Sequence, residues 1–191
     1  MRKEVTIIGG ANGSGKSTFA RFFNDRYPMD FLCADDIARD LNAQNVDRVK
    51  LEAGRVFFKR IDALLETDKN FLVESTLSGK YLVKLINRSK EKGYLVKIIY
   101  IFLENPAICI ERIKERVIKG GHFVPTPDVI RRYFRSKKNF WNQYKTLADM
   151  WCLVYNSEEQ FIEIAIGAKE EYIVNSSVLF EKFLDIVGET E

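Results

Sequence analysis

The sequence predicts an α/β fold, a doubly wound and mostly parallel sheet flanked by helices, with a helical lid. Three observations carry this. Short apolar runs suited to buried strands alternate with longer segments of helical period, the pattern of successive βαβ units. The first apolar run leads directly into Gly10-Ala11-Asn12-Gly13-Ser14-Gly15-Lys16-Ser17, which fits G-x-x-x-x-G-K-[ST] at every defined position and opens a helix. Further on, two basic helical segments are hinged at Gly120-Gly121.

Taken in order, Val5–Gly9 is a short buried strand, and residues 16–27 form a helix that stops before Pro28. Phe19, Ala20, Phe22 and Phe23 are expected on its core face. Phe31–Ala34 is a second strand, ending at Asp35-Asp36. Apolar residues at 46, 49, 53, 57, 61 and 64 keep a 3.6 period, so 46–65 is a long amphipathic helix. Phe71–Val73 is a buried strand closed by Glu74. A helix over 80–92 ends at Gly93, and Tyr94–Leu103 is the strongest strand of the chain. Pro106 suits the first turn of a helix reaching residue 119. A long helix is expected over 128–148, with Ile130, Tyr133, Phe134, Phe140, Trp141, Tyr144 and Leu147 inward. Strands follow at 151–155 and 161–166, with 161–174 open to a hairpin at the sheet edge. A last helix covers 176–187.

At 191 residues the chain is expected to be one domain, 1–191. Its 46% hydrophobic and 30% charged residues are those of an ordinary globular protein and argue against disorder. The longest apolar run, Ile98 to Leu103, is far below the roughly 18–20 residues that cross a bilayer. No signal-peptide pattern opens the chain, so a cytoplasmic location is expected. A net charge of +3 is too mild to imply a polyanion partner, and nucleic acid is not expected. Cys33, Cys109 and Cys152 are scattered and, with one histidine, make no zinc pattern.

The phosphate loop is the firmest chemical feature. Its glycines let successive N–H groups curl inward as an anion nest, and the helix N-terminus adds its positive dipole end. The expected nucleotide-binding set is Gly10, Ala11, Asn12, Gly13, Ser14, Gly15, Lys16, Ser17 and Thr18. Lys16 suits the β- and γ-phosphates and the Ser17 hydroxyl suits Mg²⁺, so ATP and Mg²⁺ are the expected cofactors. No guanine-reading Asn/Thr-Lys-x-Asp occurs, which argues against a GTPase.

In doubly wound sheets ligands sit at the carboxyl ends of strands, where Asp35 and Glu74 both fall. Asp35 suits a general base or a metal contact, with helix capping as the alternative. Glu74, followed by the hydroxyls of Ser75 and Thr76, suits either the acidic residue of a Walker-B-like strand or a hydrogen-bond acceptor for substrate; cap or loop polarity is the bland alternative. From Arg112 to Lys138 there are nine Lys/Arg and only Glu115 and Asp128 as acids. Arg112 and Arg116 share a helix face, as do Arg131 and Arg135. The region 112–138 is therefore expected to be a lid whose arginines stabilise a transferring phosphoryl group, against a solvated face or a weak nucleic-acid patch. His122 lies in the hinge with its role open.

Five segments in this order, GANGSGKST, CADDIA, VESTLSG, ERVIKGGHFVP followed by IRRYFRS, and ADMWCLVYNS, resemble the zeta-toxin-like P-loop kinases, especially the small bacterial branch without a fused antitoxin. They extend from Gly10 to Ser157, most of the chain. The resemblance implies ATP- and Mg²⁺-dependent phosphoryl transfer to a hydroxyl. Studied toxin members are similar in using UDP-N-acetylglucosamine as acceptor, and the resemblance also admits an antitoxin-like protein partner. It implies Asp35 as general base, Lys16 and Ser17 at phosphate and metal, and Glu74 with Thr76 on the substrate side. Arg116 and either Arg131 or Arg132, with Arg132 preferred, fall at the triphosphate-binding positions. Two departures stand out: Cys33 where the family often has Asn, and Tyr155-Asn156-Ser157 where it often has Asp-Asn-Ser. The expected function is therefore a kinase acting on a small hydroxylated acceptor, with a UDP-N-acetylglucosamine-like sugar nucleotide as the acceptor the resemblance implies. The alternatives are another small-metabolite or nucleotide kinase, and a P-loop ATPase or binding module acting with nucleic acid or protein.

Overall fold

A computed structural model describes residues 3–157 and 160–188. The elements run β1 (Glu4–Gly9), α1 (Lys16–Arg26), β2 (Asp30–Cys33), α2 (Ala34–Leu41), a 3₁₀ turn (Val46–Val49), α3 (Lys50–Leu65), β3 (Phe71–Ser75), α4 (Leu82–Glu91), β4 (Leu95–Phe102), α5 (Pro106–Ile118) and α6 (Thr126–Asn139). A π-helical turn (Phe140–Tyr144), α7 (Lys145–Leu147), β5 (Met150–Asn156), β6 (Phe161–Ala168), β7 (Glu171–Val174) and α8 (Ser177–Gly188) complete the chain.

Seven strands form one sheet in the order β2-β3-β1-β4-β5-β6-β7. The first five are parallel, and β6 and β7 add an antiparallel hairpin at the edge. The parallel strands are covered on both faces, which is why they read as continuous apolar runs rather than alternating ones. Val5, Ile7, Phe71, Val73, Val96 and Ile98 belong to the large core cluster on one face, while Ile8, Leu72 and Ile101 pack with Ala20 of α1 on the other. Fully burying one such side chain stabilises by about 1.5–3 kcal/mol. Switching from β3 back to β1 and on to β4 leaves a crevice at the carboxyl ends, and the phosphate loop lies in it.

Three expectations change in detail. Phe22 is 59% exposed, because the buried stripe of α1 runs through Lys16 and Ala20 with Phe19 and Phe23 beside it, and Phe22 lies a residue's turn away. The helix expected over 128–148 begins at Thr126 and passes through the π turn. Its buried side chains include the polar Ser136 and Lys137, whereas Ile130 is 39% exposed. An apolar pattern cannot locate a face that buries a hydroxyl and an amine.

Candidate active site

Gly13 and Gly15 stand at φ +81° and +91°, the left-handed region that admits glycine at low cost. Space dictates glycine here as well. A Cβ on Gly13 would strike the backbone of Cys109 in α5, and one on Gly15 would strike the amide of Asn156 at the end of β5. Asn156 Nδ2 donates to the Ser14 carbonyl at 2.7 Å, so the loop is braced by the end of β5, two strands away from β1. The Ser14 hydroxyl is buried without a partner among the described residues. A left-handed, braced loop with a spare buried donor is suited to an anion.

Lys16 is buried, not merely placed at the surface of the site, and its Nζ lies 3.4 Å from Glu74 Oε1. Ser17 Oγ donates to the same oxygen at 2.8 Å. Strand register explains the meeting: β1 and β3 are neighbours, Gly9 pairs with Ser75, and the two strand ends deliver loop and carboxylate together. A hydroxyl and a carboxylate converging in this way suit a hard cation such as Mg²⁺. Thr76 does not join them, since its hydroxyl pairs with Ser78 at 2.8 Å.

Asp35 is the second residue of α2, and the cap position belongs to Cys33. The Asp35 carboxylate is exposed, in the first turn of a helix, where the dipole favours an anion. Cys33 pairs with Glu74 across β2 and β3, which brings Asp35 to the same sheet end. Burial, then the carboxylates of Glu74 and Asp35, push the Cys33 thiol up to about 12, so it is not a thiolate nucleophile. Tyr81, which sequence reasoning passed over, completes this side. Its ring is part-exposed, but its hydroxyl lies 2.7 Å from Ser75 Oγ, and desolvation there raises its pKa.

On the opposite side of the loop lies a cavity of about 530 Å³ lined by Gly13, Lys16, Ser17, Arg112, Arg116 and Asn156, among others. Arg116 Nη2 donates to the His122 carbonyl at 2.7 Å, while its buried Nε has no partner among the described residues. Gly121 lies so close to the Arg116 stem that a Cβ there would collide with it. His122 thus contributes its backbone carbonyl to the α5–α6 loop. Arg132 lies elsewhere: Nη1 donates to Asn12 Oδ1 at 3.2 Å, and Nη2 is 3.7 Å from Asp128. Arg131 pairs with Asp128 at 2.9 Å and is more exposed. Val124 of the loop is buried with Ala11, Cys109 and Tyr133, so α5, α6 and the phosphate loop share a small core of their own.

The sheet order, the nest and the Lys16–Glu74–Ser17 contact define a P-loop protein. The chain belongs to the Zeta toxin family, whose model matches residues 1–166. It is 35% identical over 133 residues to an uncharacterized protein of Haemophilus influenzae, covering 70% of this chain and 94% of that one. It is 27% identical over 179 residues to a cytidylate kinase of Archaeoglobus fulgidus, covering 85% and 93%. Among solved structures, the AvrRxo1-ORF1:-ORF2 complex with ATP superposes with a TM-score of 0.73 at 16% identity. That match covers 95% of this chain and 63% of the longer one. Among the described residues no helix is long and apolar enough to cross a membrane.

Proposed function

We propose that the protein is an ATP- and Mg²⁺-dependent kinase that transfers the γ-phosphoryl group to a hydroxyl of a small acceptor. The observation that carries this is the convergence of Lys16 and Ser17 on Glu74 beneath a glycine nest, with an exposed aspartate at the neighbouring strand end. The nest, Lys16, Ser17 and Thr18 would hold triphosphate and metal, and ATP with Mg²⁺ supplies an activated phosphoryl group when bound. Asp35, exposed and outside the lining of the cavity, is suited to accept the proton of an attacking hydroxyl. Arg116, whose buried Nε has no partner among the described residues, and Arg132, against Asn12, are suited to charge developing on the transferred group. ATP in the solved structural relative and a relative named cytidylate kinase support the same reading.

The family resemblance makes UDP-N-acetylglucosamine the first acceptor to test, and the cytidylate kinase relative makes CMP the second. The decisive experiment incubates purified protein with ATP, Mg²⁺ and each acceptor, then with a metabolite extract, and follows gain of one phosphate by mass spectrometry. ATP consumed with no phosphorylated product in any mixture would overturn the kinase reading in favour of an ATPase.

A further inference from the structure

We propose that Ser136, Asn139 and Tyr144 are positioning residues that hold the acceptor-side loop at residues 76–79, and that α6 couples this loop to the phosphate loop through Arg132. This deepens the kinase reading and rests on it for the identity of the two loops.

Three carbonyls of this loop are each bound by a side chain from one helical stretch. Ser136 Oγ donates to the Thr76 carbonyl, Asn139 Nδ2 to the Leu77 carbonyl at 2.8 Å, and the Tyr144 hydroxyl to the Gly79 carbonyl at 2.5 Å. Ser136 is fixed in turn by the Tyr100 hydroxyl of β4 at 2.8 Å. The loop needs such support. Leu77 stands at φ +54°, a left-handed conformation that a leucine adopts only where its surroundings enforce it. Its N–H donates to Ser75 Oγ, and its side chain is fully buried against Gly9, where an added Cβ would collide with Leu77 Cδ1. The strained residue is therefore wedged under the start of the phosphate loop.

The π turn explains how one helix reaches the whole loop. In an uninterrupted α-helix Tyr144 would stand about 80° around the axis from Ser136. One extra residue in the turn at 140–144 brings it within about 20°, onto the same face. Arg132 lies one turn before Ser136 on α6 and donates to Asn12 of the phosphate loop. A single rigid element thus touches the loop that binds phosphate and the loop beside the acceptor. When Arg132 is drawn toward bound nucleotide, α6 carries the loop contacts with it.

Hydrogen exchange on the full chain tests this, with and without AMP-PNP and Mg²⁺, and calorimetry measures nucleotide binding separately. Asn139→Leu is expected to speed exchange at residues 77–79 by about fivefold or more, with β1 and β3 unchanged. Asn139→Gln, which keeps the donor on a partly exposed side chain, is expected to restore slow exchange. Tyr144→Phe removes one hydroxyl and gives the same local effect should Asn139→Leu fail to fold. In the wild type, AMP-PNP is expected to slow exchange at 77–79; in Arg132→Ala, at saturating nucleotide, that slowing is lost. Unchanged exchange at 77–79 in both loop variants, or a rise spread evenly over the sheet with a lowered Tm, overturns the positioning role. Equal slowing in Arg132→Ala overturns the coupling. If AMP-PNP does not bind wild type, the kinase reading and the coupling fall together, while the ligand-free comparison still decides the positioning.

Discussion

Ser17 and Glu74, 57 residues apart in sequence, share a 2.8 Å hydrogen bond, and Lys16 stands 3.4 Å from the same carboxylate oxygen. Lys16 and Glu74 are both buried, so each neutralises a charge that would otherwise be costly in that place. Glu74 therefore has two functions to lose. Glu74→Gln keeps an acceptor for Ser17 but leaves Lys16 uncompensated. Stability of the ligand-free protein is expected to fall by about 1–3 kcal/mol. Turnover at saturating ATP should fall by about 10²-fold or more, with weakened dependence on Mg²⁺. Calorimetric melting and a Mg²⁺ titration of the rate check both. A variant with wild-type rate and wild-type Mg²⁺ response would leave Glu74 a structural partner of Lys16 only.

Asp35 admits a cleaner separation of catalysis from folding than its place near a helix start suggests. The cap position is Cys33, and the Asp35 carboxylate is exposed. Asp35→Asn should change Tm little, cost being limited to a first-turn charge worth about 0.3–1 kcal/mol. Nucleotide affinity should survive, and acceptor phosphorylation should drop by about 10²–10⁴. Rate per folded molecule within a factor of two or three of wild type would remove Asp35 from the chemistry.

The alternation of strands and helices was legible because buried parallel strands and amphipathic helices leave different periods, and the phosphate loop because nest geometry demands glycine at fixed places. The edge hairpin of β6 and β7 was legible only as an option, since strand pairing partners leave no local mark. What escaped were particular polar contacts between side chains and their partners. Asn156 bracing Ser14, Ser136 holding Thr76 and Tyr81 against Ser75 join residues 142, 60 and 6 positions apart, on side chains whose types are ordinary on any surface. Thr76, expected at the substrate, has its hydroxyl 2.8 Å from that of Ser78 in the loop, a local pairing that no periodicity marks. Periodicity also misplaced Ile130, because α6 buries Ser136 and Lys137 where an apolar pattern expects hydrocarbon.

The arginines of the 112–138 region divide by position. Arg116 lines the cavity and braces the α5–α6 loop, Arg132 reaches Asn12, and Arg131 pairs with Asp128 nearer solvent. Lysine keeps the charge but loses the planar fork that serves two acceptors at once. Arg116→Lys and Arg132→Lys should therefore each lower kcat by about tenfold or more, while Arg131→Lys and Arg135→Lys change it less than about twofold. Steady-state kinetics of the four variants decides the matter. Equal small losses at all four positions would make the basic stretch an ordinary solvated surface.

Lys137 has no place in the proposed chemistry, and its environment makes a prediction about stability. Its side chain is 1% exposed, with Nζ 4.7 Å from the ring centre of Phe102, 4.8 Å from Tyr133 and 5.3 Å from Phe183. Nζ donates to the Tyr133 hydroxyl at 3.1 Å, and that hydroxyl donates to the Leu103 carbonyl. Desolvation by burial lowers the amine to about 7, opposed by Cys109 and Glu104; the ring faces also favour the cation. Between about pH 7 and the unfolded value of 10.5 the unfolded chain holds the proton that the folded one releases. Stability from this site is therefore lowest below pH 7, where folding buries the charge, and rises with pH across that window. Lys137→Met fills the same volume without a charge, so its Tm at pH 6 should exceed that of wild type by about 5 °C. The advantage should shrink as the pH is raised toward 10. Thermal melts of both proteins at pH 6, 8 and 10 test this, and a Tm difference that does not change with pH would show that the amine stays protonated in the folded protein throughout.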